Sequence, residues 1–541
     1  MSWWRRAVFY EIYIRSFLDA DGDGIGDLGG ITDRLSYLAD LGVDAIWITP
    51  FYPSPQVDFG YDVSDFEDVD PQYGTLAGFD RLIEEAHRQS LKVVVDVVLN
   101  HTSDRHAWFQ ASRTSRTSAF REWYIWRDGR DGNTRPPNNW ESAFGGPAWT
   151  FDRTTGQWYY HFFYAEQPDL NWRHPDVEAR MFAAVKFWID RGVDGFRLDA
   201  VNSLFEDPAL RDNPDLPEPV ITLTGVRSQE YLHTKGLPEL HDVLRRLRRF
   251  TDRHGADTML VSEAYVDTVD ALLEFYGDDD EMHLPFNFTL AQVPTRDAAL
   301  FRAAVDRVER AFERQWPSLV LSNHDIDRAV DRYRGSDDPD AVSKLLAMLL
   351  LTLRGTPFLY YGEEIGMRTE PPARLEDVRD PVGRVFWPGY KGRDGVRRPM
   401  SWSDAPGAGF TQAVPWLAAA ADSSTRNVAR QRRQADSVLT FHRDLLHLRR
   451  ASPALMEGAY RAVQSEPGVF AFLRRAPADA RLVLLNMASA SCTRPLAAES
   501  ADVAAAHWRI ALGTHRPGGE PIDLQDLTLA PLEALLLAPS V

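Results

Sequence analysis

The chain has 541 residues, enough for a large domain with smaller attachments, and its 44% hydrophobic and 26% charged residues are those of a globular protein. A formal net charge of −19 speaks against nucleic acid and anionic membranes as partners. The lone cysteine, Cys492, excludes an intramolecular disulfide framework and a multi-cysteine metal site.

The opening residues, MSWWRRAVFYEIYIRSF, have neither the apolar stretch nor the small-residue cleavage site of a secretory signal. No run approaches the roughly 18 apolar residues of a membrane span. A cytoplasmic enzyme is the expected setting. Val8 to Phe17 alternates and is rich in β-formers, so a first strand is expected there. It leads into DADGDGIGD, residues 19–27. Asp19, Asp21, Asp23 and Gly24 match the first half of a calcium loop, with the Ile25 carbonyl and Asp27 completing an oxygen shell for calcium or magnesium. The closing Glu of an EF-hand would fall at Gly30, so no helix–loop–helix hand is expected. A solvated Asp/Gly turn is the alternative.

Ile31 to Leu41 has helical spacing, Asp44 to Phe51 reads as a second strand, Phe79 to Ser90 as a helix and Leu91 to Asn100 as a third strand. The third strand is almost wholly apolar, which means burial on both faces, as in a parallel sheet. From about His101 to Pro168 the alternation stops. That stretch, rich in Arg, Trp, Asn and Gly, reads as a loop-rich insertion (102–168). Then come a helix over Val177–Arg191, a strand over Phe196–Val201 and a long connection from Asn202 to Pro238 of the kind that often forms a lid. Further helices are expected at Glu239–His254, Arg302–Arg314, Ala341–Leu353 and Val438–Arg450. Further strands are expected at Thr258–Tyr265, Leu284–Leu290, Ser318–His324 and Pro357–Gly362. Eight strands with helices between them make a (β/α)8 TIM barrel, built from residues 1–101 and 169–452. The tail, 453–541, has strand-like runs separated by turns and reads as an all-β domain, a β-sandwich.

Chemistry in such a barrel sits where the strands end. Strand 4, GFRLDAV, puts Arg197 two residues before Asp199, so both point to one side and the cation can hold the acid ionised. Such a carboxylate is a nucleophile candidate; a structural Arg–Asp pair is the bland alternative. Strand 3 ends with Asp96, Asn100 and His101, strand 5 with Glu263, and strand 7 with Asn323, His324 and Asp325. Buried like charges at four strand ends are costly unless they do chemistry.

DVVLNH (96–101), GFRLDAV (195–201), SEAY (262–265) and NHD (323–325) resemble the four sequence regions of the α-amylase superfamily. QPDLNW (167–172) resembles the extra motif of its oligo-1,6-glucosidase and α-glucosidase branch. The likeness continues through the 19–27 loop, VDFGYDVSDF (57–66), GTPFLYYGEEIGM (355–367) and GRDGVRRPMSW (392–402). The resemblance implies Asp199 as nucleophile, Glu263 as general acid and then base, and Asp325 as the group that grips sugar hydroxyls. It implies Arg197, His101 and His324 around the same glucose unit, and Asp58, Tyr61 and Arg393 closing the pocket at its non-reducing end. Ala200, after the nucleophile, goes with α-1,4 rather than α-1,6 preference in this branch. The implied activity is a retaining, exo-acting α-glucosidase on short α-glucosides, with transfer to sugar or alcohol acceptors as a built-in side reaction. An oligo-1,6-glucosidase or a glucosyl-transferring isomerase is the runner-up. A structural calcium or magnesium ion, no organic cofactor, and a monomer or homodimer complete the expectation. A non-catalytic binding protein would have lost the acids, and Arg197 beside Asp199 would repel a catalytic metal.

Overall fold

The computed structural model describes residues 2–222, 225–255, 257–266, 268–497, 500, 503 and 506–540. Eight parallel strands run in the order expected of a barrel: β1 (Phe9–Ile12), β2 (Ala45–Ile48), β3 (Lys92–Val98), β4 (Gly195–Asp199), β5 (Met259–Ser262), β6 (Leu284–Pro285), β7 (Ser318–Val320) and β8 (Thr356–Tyr360). Each pairs with the next in sequence from β1 to β6; β7 pairs with β8, and β8 returns to β1. The remaining seam is stitched by one hydroxyl. Ser318 Oγ accepts from the Asn287 N–H and donates to the Pro285 carbonyl, both at 2.9 Å.

Alternation along these strands sorts the core into two layers. Phe9, Ala45, Trp47, Val94, Met259, Val261 and Phe358 fill the barrel. Tyr10, Ile46, Val93, Val95, Phe196 and Leu260 face the helices. The same period of two then carries Glu11, Asp96, Arg197, Asp199 and Glu263 onto the interior side at the strands' C-terminal ends, where packing gives way to chemistry.

The strands are shorter than the sequence suggests. The first ends at Ile12 because Ile14–Ser16 turns into a 3-10 helix. The sixth spans only Leu284–Pro285; the prolines's ring carries no N–H to continue a ladder, and the chain leaves the sheet there. The seventh stops at Val320, so Asn323, His324 and Asp325 lie on the loop beyond it. The 202–238 connection contains an antiparallel hairpin, Asp215–Thr222 with Gly225–Gln229, rather than loop alone.

The insertion after β3 holds a short helix (Ala107–Ser112) and a three-stranded antiparallel sheet of Trp126–Arg127, Gln157–Tyr160 and Trp149–Asp152. Trp140, Trp149, Tyr160 and Phe162 give it a core of its own. Its two ends meet where Asn100 Nδ2 donates to Asp169 Oδ2 at 3.0 Å. Beyond Pro453–Glu457, a final helix turn, six antiparallel strands follow in the spatial order Ala459–Val463, Val469–Ala476, Asp479–Asn486, Ala534–Pro539, Trp508–Gly513, Pro521–Ile522. A two-stranded ribbon, Cys492–Thr493 with Thr528–Leu529, puts Leu529 into the same apolar cluster as Val469 and Leu535. Fully buried Arg474 ties the six-stranded sheet to the barrel by donating to the Thr352 carbonyl at 2.6 Å. Among the described residues no helix is long and apolar enough to cross a membrane.

Ser318→Ala removes both bonds across the β6–β7 seam and leaves a buried N–H and carbonyl unsatisfied. The expected cost is about 1–3 kcal/mol of unfolding free energy, read from urea denaturation. An unchanged midpoint would show that the seam is held by other means.

Candidate active site

Arg197 is wholly buried at the centre of the strand ends. Its Nη1 donates to Asp96 Oδ1 at 2.8 Å and to Asp199 Oδ1 at 2.5 Å. Its Nη2 lies 2.7 Å from Glu263 Oε2, off the hydrogen-bonding axis. One guanidinium thus serves three carboxyl groups from β3, β4 and the end of β5. Burial pushes Asp199 up, with Glu263 and Asp96 adding to the effect and Arg197 opposing it. Burial likewise pushes Asp96 up to about 6, against Arg197. Arg197 favours the ionised forms of Asp96 and Asp199 against the cost of burial. Glu263 Oε1 is buried without a hydrogen-bond partner among the described residues, and Glu263 lines the cavity.

Asp325 has a contrasting environment. Its Oδ1 accepts from Arg397 Nη2 at 2.7 Å and from Arg393 Nη1 at 3.2 Å, and its Oδ2 lies 3.3 Å from His324 Nε2. Burial alone would raise its pKa; His324, Arg393 and Arg397 outweigh that and hold it well below the usual carboxylate range. Arg393 also reaches Asp58 Oδ1 at 2.9 Å and both oxygens of Asp380, at 2.9 and 3.0 Å. Gln167 Nε2 donates to the other Asp58 oxygen at 3.2 Å and lies 3.0 Å from His101 Nε2. This buried Asp58–Arg393 pair lines the pocket. Tyr61 stacks on His324, rings 14° apart with centroids at 5.5 Å, and its hydroxyl donates to Asp96 Oδ2 at 3.1 Å.

Eight of the nine residues read from the sequence as catalytic or sugar-binding line one cavity of about 930 Å³, and the ninth, Arg197, is buried behind Asp199 and bonded to it. Tyr265 and Phe288, stacked at 4.9 Å, also line it, as do Leu216, Val220, Tyr231 and Leu232 of the 202–238 connection. Ser228 Oγ on Glu141, Gln229 Nε2 on the Asn139 carbonyl and Trp140 Nε1 on the Arg211 carbonyl fasten that connection to the insertion.

The match to known proteins agrees with this geometry. The family model of the α-amylase catalytic domain matches residues 11–458. The chain belongs to the α-amylase family. A probable alpha-glucosidase of Rhizobium meliloti (strain 1021) is 44% identical over 510 residues, 92% of this chain and 91% of that one. An oligo-1,6-glucosidase of Heyndrickxia coagulans is 36% identical over 96% of this chain and 97% of its own. Among solved structures, the alpha-glucosyl transfer enzyme XgtA superposes with a TM-score of 0.90 at 40% identity, covering 100% of both chains. The trehalulose synthase MutB from Pseudomonas mesoacidophila MX-45 does so with a TM-score of 0.88 at 34% identity, again over 100% of both. This α-amylase-family chain is an enzyme, a glycoside hydrolase of the α-glucosidase and oligo-1,6-glucosidase branch.

Several α-amylase-family site residues carried little sequence signal. Asp380 and Arg397 come from the irregular stretch after β8, where no periodicity marks a side chain's direction. Gln167 lay inside the QPDLNW motif without a role. Asp96 stood out as a buried acid, but its bond to Arg197 is a cross-strand contact, visible once β3 and β4 are in register. In the 19–27 loop, carboxylate oxygens of Asp19, Asp21 and Asp27 lie within 4.8 Å of one another; Asp23 is not in that group. Asp19 also accepts the Gly22 and Gly24 N–H groups, and Asp27 those of Ala20, Asp21 and Gly30. The Asp23 carboxylate accepts from the Ile25 N–H at 2.7 Å.

Burial pushes His101 and His324 each down to about 3, so both work as neutral rings. Their folded values lie below the unfolded one of about 6.5, so this stability is complete above that pH and is lost as pH falls towards 3. Unfolding midpoints in urea at pH 7 and pH 5 are expected to drop more for the wild type than for His101→Asn. Equal drops would mean that His101 is charged in the native pocket.

Proposed function

We propose that the enzyme is a retaining, exo-acting α-glucosidase that cleaves short α-glucosides, α-1,4 in preference, and transfers glucose to sugar or alcohol acceptors. The observation that carries the reading is the sharing of Arg197 by Asp199 and Glu263 at a cavity that the Asp58–Arg393 pair also lines. The shared guanidinium supports the short carboxyl separation of a retaining pair, roughly 5–5.5 Å, over the wider one an inverting enzyme needs for its water. Asp199 attacks the anomeric carbon while Glu263 protonates the departing glycosidic oxygen, so one C–O bond forms as another breaks. Glu263, now a carboxylate, takes a proton from water or an acceptor hydroxyl, whose oxygen displaces Asp199. Asp325, held ionised by two arginines, grips sugar hydroxyls and favours the positively charged transition state.

The Asp58–Arg393 ion pair supports exo action, since a pocket closed there would stop a chain from running past it. The apolar side chains at the mouth, with Val220 41% and Leu232 60% exposed, support acceptors that carry an apolar face. Ala200 has φ 48° and ψ 34°, a left-handed conformation that a β-branched valine adopts only under strain. Its small side chain leaves the acceptor side open, which supports α-1,4 linkages. The oligo-1,6-glucosidase and trehalulose synthase relatives favour a second reading, an α-1,6 preference or transfer of glucose within sucrose.

One experiment separates them. Turnover is measured on maltose, isomaltose and sucrose, with and without an added alcohol, alongside Asp199→Ala and a Glu263→Gln variant analysed by mass spectrometry. Maltose is expected to be cleaved fastest, with glucosyl alcohol among the products; given α-glucosyl fluoride, whose leaving group needs no proton, the Glu263→Gln protein is expected to carry a glucosyl ester on Asp199. Asp199→Ala is expected to lose turnover by about 10⁴-fold or more. Isomaltose as best substrate, or an isomer as sole product of sucrose, would replace this reading with the second one.

The 19–27 loop fits a hard cation, its donors being carboxylate and carbonyl oxygens. Asp19, Asp21 and Asp27 would hold calcium or magnesium, with Asp23 and the Ile25 carbonyl beside them, and the ion would offset their mutual repulsion. Removing divalent cations with a chelator is expected to lower Tm by several degrees, and added calcium to restore it. An unchanged Tm would leave the loop held by its own N–H groups.

A further inference from the structure

Strand β1 delivers one acid that the reaction above leaves without a role. Glu11 faces the barrel interior and is 1% exposed. Its Oε1 lies 2.6 Å from His324 Nδ1 and accepts the His324 backbone N–H at 3.3 Å. On the far side of the ring, Nε2 lies 2.9 Å from the Tyr61 hydroxyl and 3.3 Å from Asp325 Oδ2. Tyr61 in turn reaches Asp96 Oδ2.

A neutral imidazole has one N–H, and two arrangements compete for it. If Nδ1 carries it and Glu11 is ionised, the bare Nε2 faces the Asp325 carboxylate, lone pair against lone pair. The Tyr61 proton is then drawn to Nε2, and Asp96 Oδ2 is left with the Trp47 indole N–H at 3.3 Å. If Glu11 carries a proton and donates it to Nδ1, then Nε2–H meets two acceptors, Tyr61 and Asp325. The Tyr61 hydroxyl stays free to donate to Asp96. Each acceptor in the chain then has its donor.

We propose that Glu11 is a positioning residue: as a neutral carboxylic acid it donates to His324 Nδ1 and fixes the tautomer that turns an Nε2–H towards Tyr61, Asp325 and the bound sugar. The role in sugar binding rests on the glucosidase reading; the tautomer does not. Burial pushes the Glu11 carboxyl well up, Asp325 and Asp96 add to it, and Arg197 opposes them. Glu11 touches no reacting atom and acts through the ring.

The test uses the full chain with ¹⁵N-labelled histidine, the His324 signal being assigned by its absence in His324→Gln. The neutral, Nε2-protonated form is the expected result. An Nδ1-protonated or doubly protonated ring overturns the proposal, whatever the substrate panel shows. Glu11→Gln keeps an N–H donor at the same place and is expected to hold kcat/KM within about threefold. Glu11→Leu removes it and is expected to lower kcat/KM by about 10- to 100-fold, with a mixed tautomer at His324. A leucine variant with unchanged kcat/KM and tautomer also overturns the proposal. The wild-type spectrum decides the matter even where the leucine variant fails to fold.

Discussion

One buried guanidinium holds the active centre together. Arg197 has no exposure, and its counter-charges come from three different strands. A buried cation with one partner is marginal, since the loss of hydration rivals the attraction. With three carboxyl groups the balance tips towards the pair, but the acids are then in excess. That excess adds to the rise that burial imposes on Asp96 and Asp199. Folding and chemistry thus rest on the same charge count.

A second cationic focus surrounds Asp325. Arg393 and Arg397 hold Asp325, and Arg393 also pairs with Asp58 and Asp380. The first centre leaves its acids short of positive charge and the second supplies it amply. Asp325 is therefore held well below the usual carboxylate range, while burial pushes Asp96 and Asp199 up against the pull of Arg197. Two environments a few side chains apart make like residues behave unlike.

The barrel was legible because its strands are apolar on both faces and alternate with helical spacing. The acids were legible because charge at the end of an apolar run is conspicuous. Strand lengths were not, since Pro285 ends a ladder that hydrophobicity alone would extend, and Ile14–Ser16 coils within a run of β-formers. The hairpin at 215–229 was hidden by prolines and acids that read as loop. Glu11 escaped notice because it sits within the first strand, and its meaning depends on His324, more than three hundred residues away. Asp380 and Arg397 lay in a stretch whose elements, such as the helix Pro381–Val385, are too short to show a period in the sequence. What the sequence withheld is mostly pairing between distant segments.

The mouth of the cavity is assembled from two excursions, the insertion after β3 and the connection after β4, which are bonded to each other through Glu141, Asn139 and Trp140. Neither the guanidinium nor the acids take part in those bonds. The entrance can therefore be remodelled by drift or by design while the reacting groups stay put. A lineage built on this plan is free to explore new aglycones without reinventing how the glucosyl bond is broken.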